Sequence, residues 1–138
     1  MNGSDTLKNV AEYIRRKYGI KPDYPFEDDT PVFRHTDNGK WFAIVIRDVP
    51  NAKLCGGEGR SDVINFKCDP LLASCAADGK RIFPAYHMNK RHWISVMLDG
   101  SVSADEISAF ADLSYKLTGQ RSRNDGNRDK KYDRQRPV

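Results

Sequence analysis

The chain has 138 residues, 38% hydrophobic and 30% charged, which is enough for one domain with its own core and no need of disulfides or a structural metal. No apolar run approaches the roughly 18 residues of a membrane span, so a soluble protein is expected. Three cysteines, an odd number, and a start without a signal-peptide pattern point to a reducing, cytoplasmic setting.

The formal net charge of +4 is unevenly placed. Residues 118–138 hold seven cations (Arg121, Arg123, Arg128, Lys130, Lys131, Arg134, Arg136) and three acids (Asp125, Asp129, Asp133), which accounts for the whole excess. Residues 1–117 are formally neutral, so the high pI says nothing about the folded part. What it retains is a local asymmetry, with acids at Glu27-Asp28-Asp29 and cations over 80–92.

Residues 5–18 are predicted to form an amphipathic helix, because Leu7, Val10, Ala11, Ile14 and Tyr18 recur at helical spacing. Ser4 or Asp5 can cap its start, and Gly19 can end it in a left-handed turn. Lys8, Arg15, Arg16 and Lys17 fall largely off the apolar stripe, as a solvated face requires. Pro22, Pro25 and the acidic triplet mark a connection to three strands, expected over 31–35, 40–47 and 62–68. Residues 41–46 are apolar on both faces, as in a central strand covered on both sides. In the third strand Ile64, Phe66 and Cys68 alternate with Val63, Asn65 and Lys67, so one face should be wetter. Asp37-Asn38-Gly39 joins the first two strands in a hairpin, and Pro50 to Arg60, with Gly56-Gly57-Glu58-Gly59, reads as a long flexible loop.

A second helix begins with Asp69 as N-cap and Pro70 at its first position, carries Leu71, Leu72, Cys75 and Ala76 as its apolar stripe, and stops at Gly79. Strands follow over 82–86 and 92–98, the latter with Ile94, Val96 and Leu98 on one face and Trp93, Ser95 and Met97 on the other. Asp99-Gly100 turns the chain into a third helix, which opens on the capping box Ser103–Glu106 and buries Ile107, Phe110, Ala111, Ser114 and Leu117. Beyond Gly119 almost nothing is apolar, so burial cannot offset the entropy of ordering. The organisation expected is therefore one domain over 1–118 and a disordered charged tail over 119–138. The order α-β-β-β-α-β-β-α implies an α+β fold, an antiparallel sheet of about five strands with helices packed on it.

Between Gly79 and Leu98 there is no acidic residue, while Lys80, Arg81, Lys90 and Arg91 are cationic and Tyr86, His87, His92 and Trp93 lie among them. This mixture suits DNA or another anionic polymer: Lys and Arg meet phosphates, and aromatic faces stack on bases. The candidate contacts are Lys40, Lys80, Arg81, His87, Asn89, Lys90 and Arg91, with His87 and Asn89 as hydrogen-bond donors to phosphate or base edge. Lys90 and Arg91 are adjacent, so in an extended segment they point to opposite faces and one meets solvent. The plainer alternative is a solvated loop in which Tyr86 and the two tryptophans are core anchors.

Other chemistry finds less purchase. Cys55, Cys68, Cys75, His87 and His92 contain no C-x-x-C or H-x-x-x-H pair, so no metal is expected, and Cys68 and Cys75 read as small buried apolar residues. A Cys55–His87 pairing lacks a nucleophile elbow and an orienting third group, so no enzyme is expected. The glycine-rich 56–60 segment has neither the spacing nor the strand-to-helix setting of a phosphate-binding loop. No cofactor is called for.

Several blocks resemble the MmcQ/YjbR family in the family's order over about 7–117: Tyr24-Pro25-Phe26 with Thr30-Pro31-Val32-Phe33, Lys40-Trp41-Phe42-Ala43, Phe66-Lys67-Cys68-Asp69-Pro70, and the run from Pro84 to Val96. Ser114-Tyr115-Lys116-Leu117 also fits. The resemblance implies a bacterial cytoplasmic two-layer α+β domain of the kind seen in secretion chaperones and compared with frataxin. It also implies the DNA-binding, double-wing label the family carries, with no catalytic residues. The glycine-rich loop at 55–60 and the tail after Gly119 depart from the family pattern, and cationic Arg15, Arg16 and Lys17 speak against an iron-binding acidic ridge. Two functions are therefore expected in competition. One is a non-enzymatic nucleic-acid-binding protein. The other is a protein-interaction or chaperone-like module that uses the sheet face rather than its charge, which implies an exposed apolar patch or a homodimer interface and no dependence on the 80–92 cations.

Overall fold

The computed structural model describes residues 3–26 and 30–119. The acidic triplet and nearly all of the expected tail lie outside them. The elements are α1 (Gly3–Tyr18), β1 (Val32–Arg34), β2 (Trp41–Pro50), a 3-10 turn (Asn51–Lys53), β3 (Arg60–Lys67), α2 (Pro70–Ala76), β4 (Ile82–Pro84), β5 (Trp93–Met97) and α3 (Ala104–Thr118). The five strands form one antiparallel sheet in the order β1-β2-β3-β5-β4, so the expected α+β order is the observed one.

The helical periodicity of α1 places Val10 and Ile14 fully inside, with Leu7, Ala11, Tyr13 and Tyr18 packed against the same core. The helix starts at Gly3, so Ser4 and Asp5 fall inside it rather than at the cap. Gly19 ends it at φ +70, where a side chain would be strained. In α3, Ser103 caps by accepting from the Glu106 amide at 3.2 Å. The return half of the capping box is a hydroxyl-to-carboxylate bond from Ser103 to Glu106, 3.3 Å. Ile107 and Ala111 of α3 are fully buried, and Ser114 ties the helix to the sheet: its hydroxyl donates to the Phe42 carbonyl at 2.5 Å and accepts from the Lys67 amide at 2.9 Å.

A register shift at the start of β2 pairs Phe33 with Ala43 and Arg34 with Trp41. The extra residue turns Phe42 and Ala43 both toward the helices while Trp41 joins the opposite face, as a bulge does. One face of the sheet thus packs on α1 and α3 around Phe33, Phe42, Ile64, Phe66 and Ile94. The other face was expected to be wetter at β3, yet Asn65 is 0% and Lys67 7% exposed. Residues 85–93 fold over it, burying Ala85, Met88 and Trp93 against Val32, Trp41 and Ile44.

Corrections also fall on α2. Asp69 caps it as expected, its carboxylate accepting from the Leu71 amide at 2.8 Å, but the helix ends at Ala76 rather than at Gly79. The stop is Asp78, one oxygen of which accepts the amides of Lys80, Arg81 and Ile82 at 2.8–3.0 Å. Ala73 is its buried residue, whereas Leu71 is 73% and Leu72 36% exposed and Cys75 is exposed too. A short helix lying close against β4 needs a small residue where the two meet, and the leucines point outward.

Both margins of the sheet are blunt. β4 is three residues long, shorter than the expected 82–86. The Ala85 amide still reaches the Trp93 carbonyl at 3.2 Å, but the Tyr86 amide and carbonyl go to the Ser95 and Asn65 side chains instead of the ladder. Pro84 offers no amide hydrogen to the open edge. On the other margin, Asp23 exchanges both backbone hydrogen bonds with Val32 at 2.8 Å, and its carboxylate pairs with Arg34 at 2.5 Å. The loop after β2 is organised by Asn51. Its backbone amide and carbonyl bond Gly59, Leu54 and Gly56 at 2.7–2.9 Å, and its side chain bonds Glu58 and Ser61.

Candidate nucleic-acid interface

The segment from Ala85 to His92 is a set of turns, not the extended run assumed for Lys90 and Arg91. Two side chains, Asn65 and Ser95, fasten it to the sheet. Asn65 donates to the Tyr86 carbonyl at 3.0 Å, the Ser95 hydroxyl donates to Asn65 at 2.5 Å, and that hydroxyl accepts from the Tyr86 amide at 2.9 Å. His87 adopts φ +65, a conformation that reverses the chain at a steric cost. Asn89 then accepts from the Arg91 amide at 2.9 Å, and the His92 carbonyl accepts from the Cys68 amide at 2.7 Å. Trp41 and Trp93 are core residues, 9% and 4% exposed, so neither offers a stacking face. Tyr86 is half-buried, its ring 3.9 Å from that of His87.

The seven residues singled out from the sequence divide into two groups. β2 begins where β3 ends and β5 begins, since Ala43 pairs with Phe66 and Phe66 with Ile94. Lys40, His87, Asn89, Lys90 and Arg91 therefore gather toward one end of the sheet. Lys80 and Arg81 sit at the other, because Ile82 pairs with Val96 and the Arg81 carbonyl accepts from Met97. The length of β5 from Trp93 to Met97 separates the groups, about 13 Å.

Their electrostatics differ as well. Arg81 pairs with Asp78 at 3.3 Å, and the backbone amides of Arg81, Lys80 and Ile82 hold that carboxyl well below the usual carboxylate range. At the other end, Lys90 and Arg91 are exposed and, among the described residues, Arg91 makes no ion pair. The Lys90 ammonium donates to the Ala85 carbonyl at 2.7 Å, which fixes its position and leaves protons for a second acceptor. Burial, then the charges of Lys67 and Arg91, push His92 below the ordinary imidazole value, so it is neutral near pH 7.

One site residue escaped the sequence reading. His35 is 4% exposed, with Nε2 2.9 Å from the Thr118 hydroxyl and its ring 4.1 Å from that of Tyr115. The Thr118 hydroxyl donates to the Ser114 carbonyl at 2.8 Å, so His35 must be the donor to Thr118, which sets the tautomer. Asn38 donates to the Thr118 carbonyl at 3.0 Å. These bonds dock the end of α3 on the β1–β2 hairpin, beside Lys40, whose carbonyl accepts from the His35 amide at 2.9 Å. The chain thus leaves α3 at the end of the sheet that carries Arg91. In sequence a histidine before a turn looks the same whether buried or exposed.

Elsewhere, Asp112 of α3 accepts from Tyr13 at 2.6 Å and Tyr18 at 2.5 Å and pairs with Lys17 at 3.2 Å, which locks α1 to α3. Among the described residues no three His, Cys, Asp or Glu side chains come together as metal ligands would, and no helix is long and apolar enough to cross a membrane.

The fold and this loop define a small two-layer α+β domain whose sheet is covered by helices on one face and by a turn-rich cationic segment on the other. Residues 15–117 match the family model described as YjbR, and the chain belongs to that family. It is 35% identical to the uncharacterized protein YyaQ of Bacillus subtilis, over 82% of this chain and 98% of that one. It is 29% identical to the uncharacterized protein YjbR of Escherichia coli, over 80% and 85% respectively. A crystal structure of a Pseudomonas syringae protein superposes with a TM-score of 0.73 at 43% identity, covering 81% of this chain and 97% of that one. A Deinococcus radiodurans protein shares the fold, with a TM-score of 0.62 at 24% identity over 93% and 88%.

Proposed function

We propose that the protein binds nucleic acid, DNA in the first instance, by phosphate contact and without catalysis or a cofactor. The observation that carries this is Arg91, without an ion pair among the described residues, beside Lys90 at the end of the sheet where Lys40 and the root of the basic C-terminal segment also lie. Lys80 and Arg81 are left out of the interface, being at the far end with Asp78. With the stacking faces buried, affinity comes mainly from counterion release and depends steeply on salt. In a titration of labelled duplex at several salt concentrations, Lys90→Ala with Arg91→Ala flattens the log–log slope by about 1.8, close to 0.9 for each phosphate no longer neutralised. Binding whose slope is unchanged by that double substitution, yet which disappears on removing 120–138, reassigns the activity to the terminal segment.

The outward leucines of α2 favour a second reading, a protein-interaction module that meets its partner through Leu71 and Leu72. Light scattering after size exclusion separates the two. A dimer abolished by Leu71→Ser with Leu72→Ser, together with no DNA binding, selects this second reading.

A further inference from the structure

Beside Arg91 the surface is not flat. Pro70, Ala73 and Ser74 of α2 and the residue that caps its end, Ala77, line one side of an open slot. Pro84 of β4 and the two cations Lys90 and Arg91 complete its lining, and the open space is about 420 Å³. That volume is toward the low end of the roughly 300–1,000 Å³ found for small-molecule sites. The walls are two proline rings and two alanines, with one hydroxyl from exposed Ser74 at the rim. Among the described residues no carboxylate lines it.

Resting on the nucleic-acid reading above, we infer that this slot receives one unpaired nucleotide of a single strand, the base against the apolar lining and its phosphate on Arg91 and Lys90. A flat apolar ring next to an anion is the chemistry the slot complements. The planar guanidinium is suited to bidentate contact with phosphate oxygens. A base inside a duplex is stacked and paired, and extracting it costs a few kcal/mol, whereas a single strand presents its bases already free. Pro84 and the brevity of β4 also block the usual way a peptide would bind here, as an added strand.

The test compares the full chain on a fluorescent oligothymidylate and on a duplex of the same length. The duplex has twice the phosphates, so purely electrostatic binding favours it. Use of the slot makes the oligothymidylate bind at least as tightly. Ser74→Leu, on an exposed helical position, fills the slot and lowers single-strand affinity about fivefold, as loss of roughly 40 Å² of apolar burial would, while duplex affinity stays within about twofold. The amide resonances of 73–77 shift with oligothymidylate and stay in place with duplex. Salt-dependent binding that favours the duplex, or a Ser74→Leu variant that is inert, overturns the slot and leaves the wider reading intact. Absence of binding to either polymer overturns both.

Discussion

Replacing Asn65 by Ala tests whether the cationic segment is held by the sheet beneath it. Asn65 is fully buried, and its two bonds link β3 to the Tyr86 carbonyl and the Ser95 hydroxyl. The substitution leaves one acceptor and one donor without their partners. A buried orphan costs about 1–3 kcal/mol, and since the Tyr86 carbonyl is only part-buried the two together should cost about 2–4 kcal/mol, from a total of about 5–15 typical of a domain. In melting temperature that is a fall of about 10 °C. Urea titration followed by tryptophan fluorescence reads it directly, because Trp41 and Trp93 both belong to the face that the segment covers. Ser95→Ala should cost about as much as removal of other buried hydrogen bonds. The double variant should fall short of the sum by about 1 kcal/mol, since both substitutions remove the same bond. A loss below about 1 kcal/mol for Asn65→Ala, or strict additivity, would refute the claim that this network fixes the segment.

Three further outcomes follow from buried groups. His35 is pushed below its ordinary value chiefly by burial, and His92 likewise, so the unfolded chain takes up protons more readily than the folded one. Stability therefore falls as pH drops below about 6.5, and His35→Gln should flatten that dependence in urea titrations run across this window. Burial tends to raise the Asp112 carboxyl, but the Tyr13, Tyr18 and Lys17 contacts prevail and hold it below the ordinary value. Its contribution is present above about pH 4 and lost in more acid solution, and Asp112→Asn should cost about 1–3 kcal/mol at neutral pH by denaturation. A thiol reagent should modify exposed Cys55 and Cys75 rapidly while buried Cys68, its thiol pushed up to about 11, reacts only on unfolding; prompt modification of all three would contradict the packing.

Where the sequence could be read, local chemistry and burial agreed. Gly19, Asp69-Pro70 and Ser103 announce helix ends by their own backbone requirements, and the alternation of Ile94, Val96 and Leu98 reports a covered face directly. It misled where the cover comes from distant residues. Asn65 and Lys67 look like a wet face until residues 85–93 are laid on them, and Leu71 and Leu72 look like a core stripe until Ala73 turns out to face the sheet. The cations failed for a related reason. Twelve residues of sequence hold Lys80 and Arg91 together on the page, but β4 carries the chain across the sheet between them. His35 was invisible because its partners, Thr118 and Tyr115, are supplied by the distant end of α3.

The clipped margins described for β1 and β4 have a consequence for crowding. Zipping of one molecule to the next through ladder hydrogen bonds needs a long bare edge, and here one side offers three residues ending in proline while the other is already occupied by Asp23. Copies crowded together find no long ladder to extend at these described margins, so a dense assembly disperses again without having nucleated fibrils.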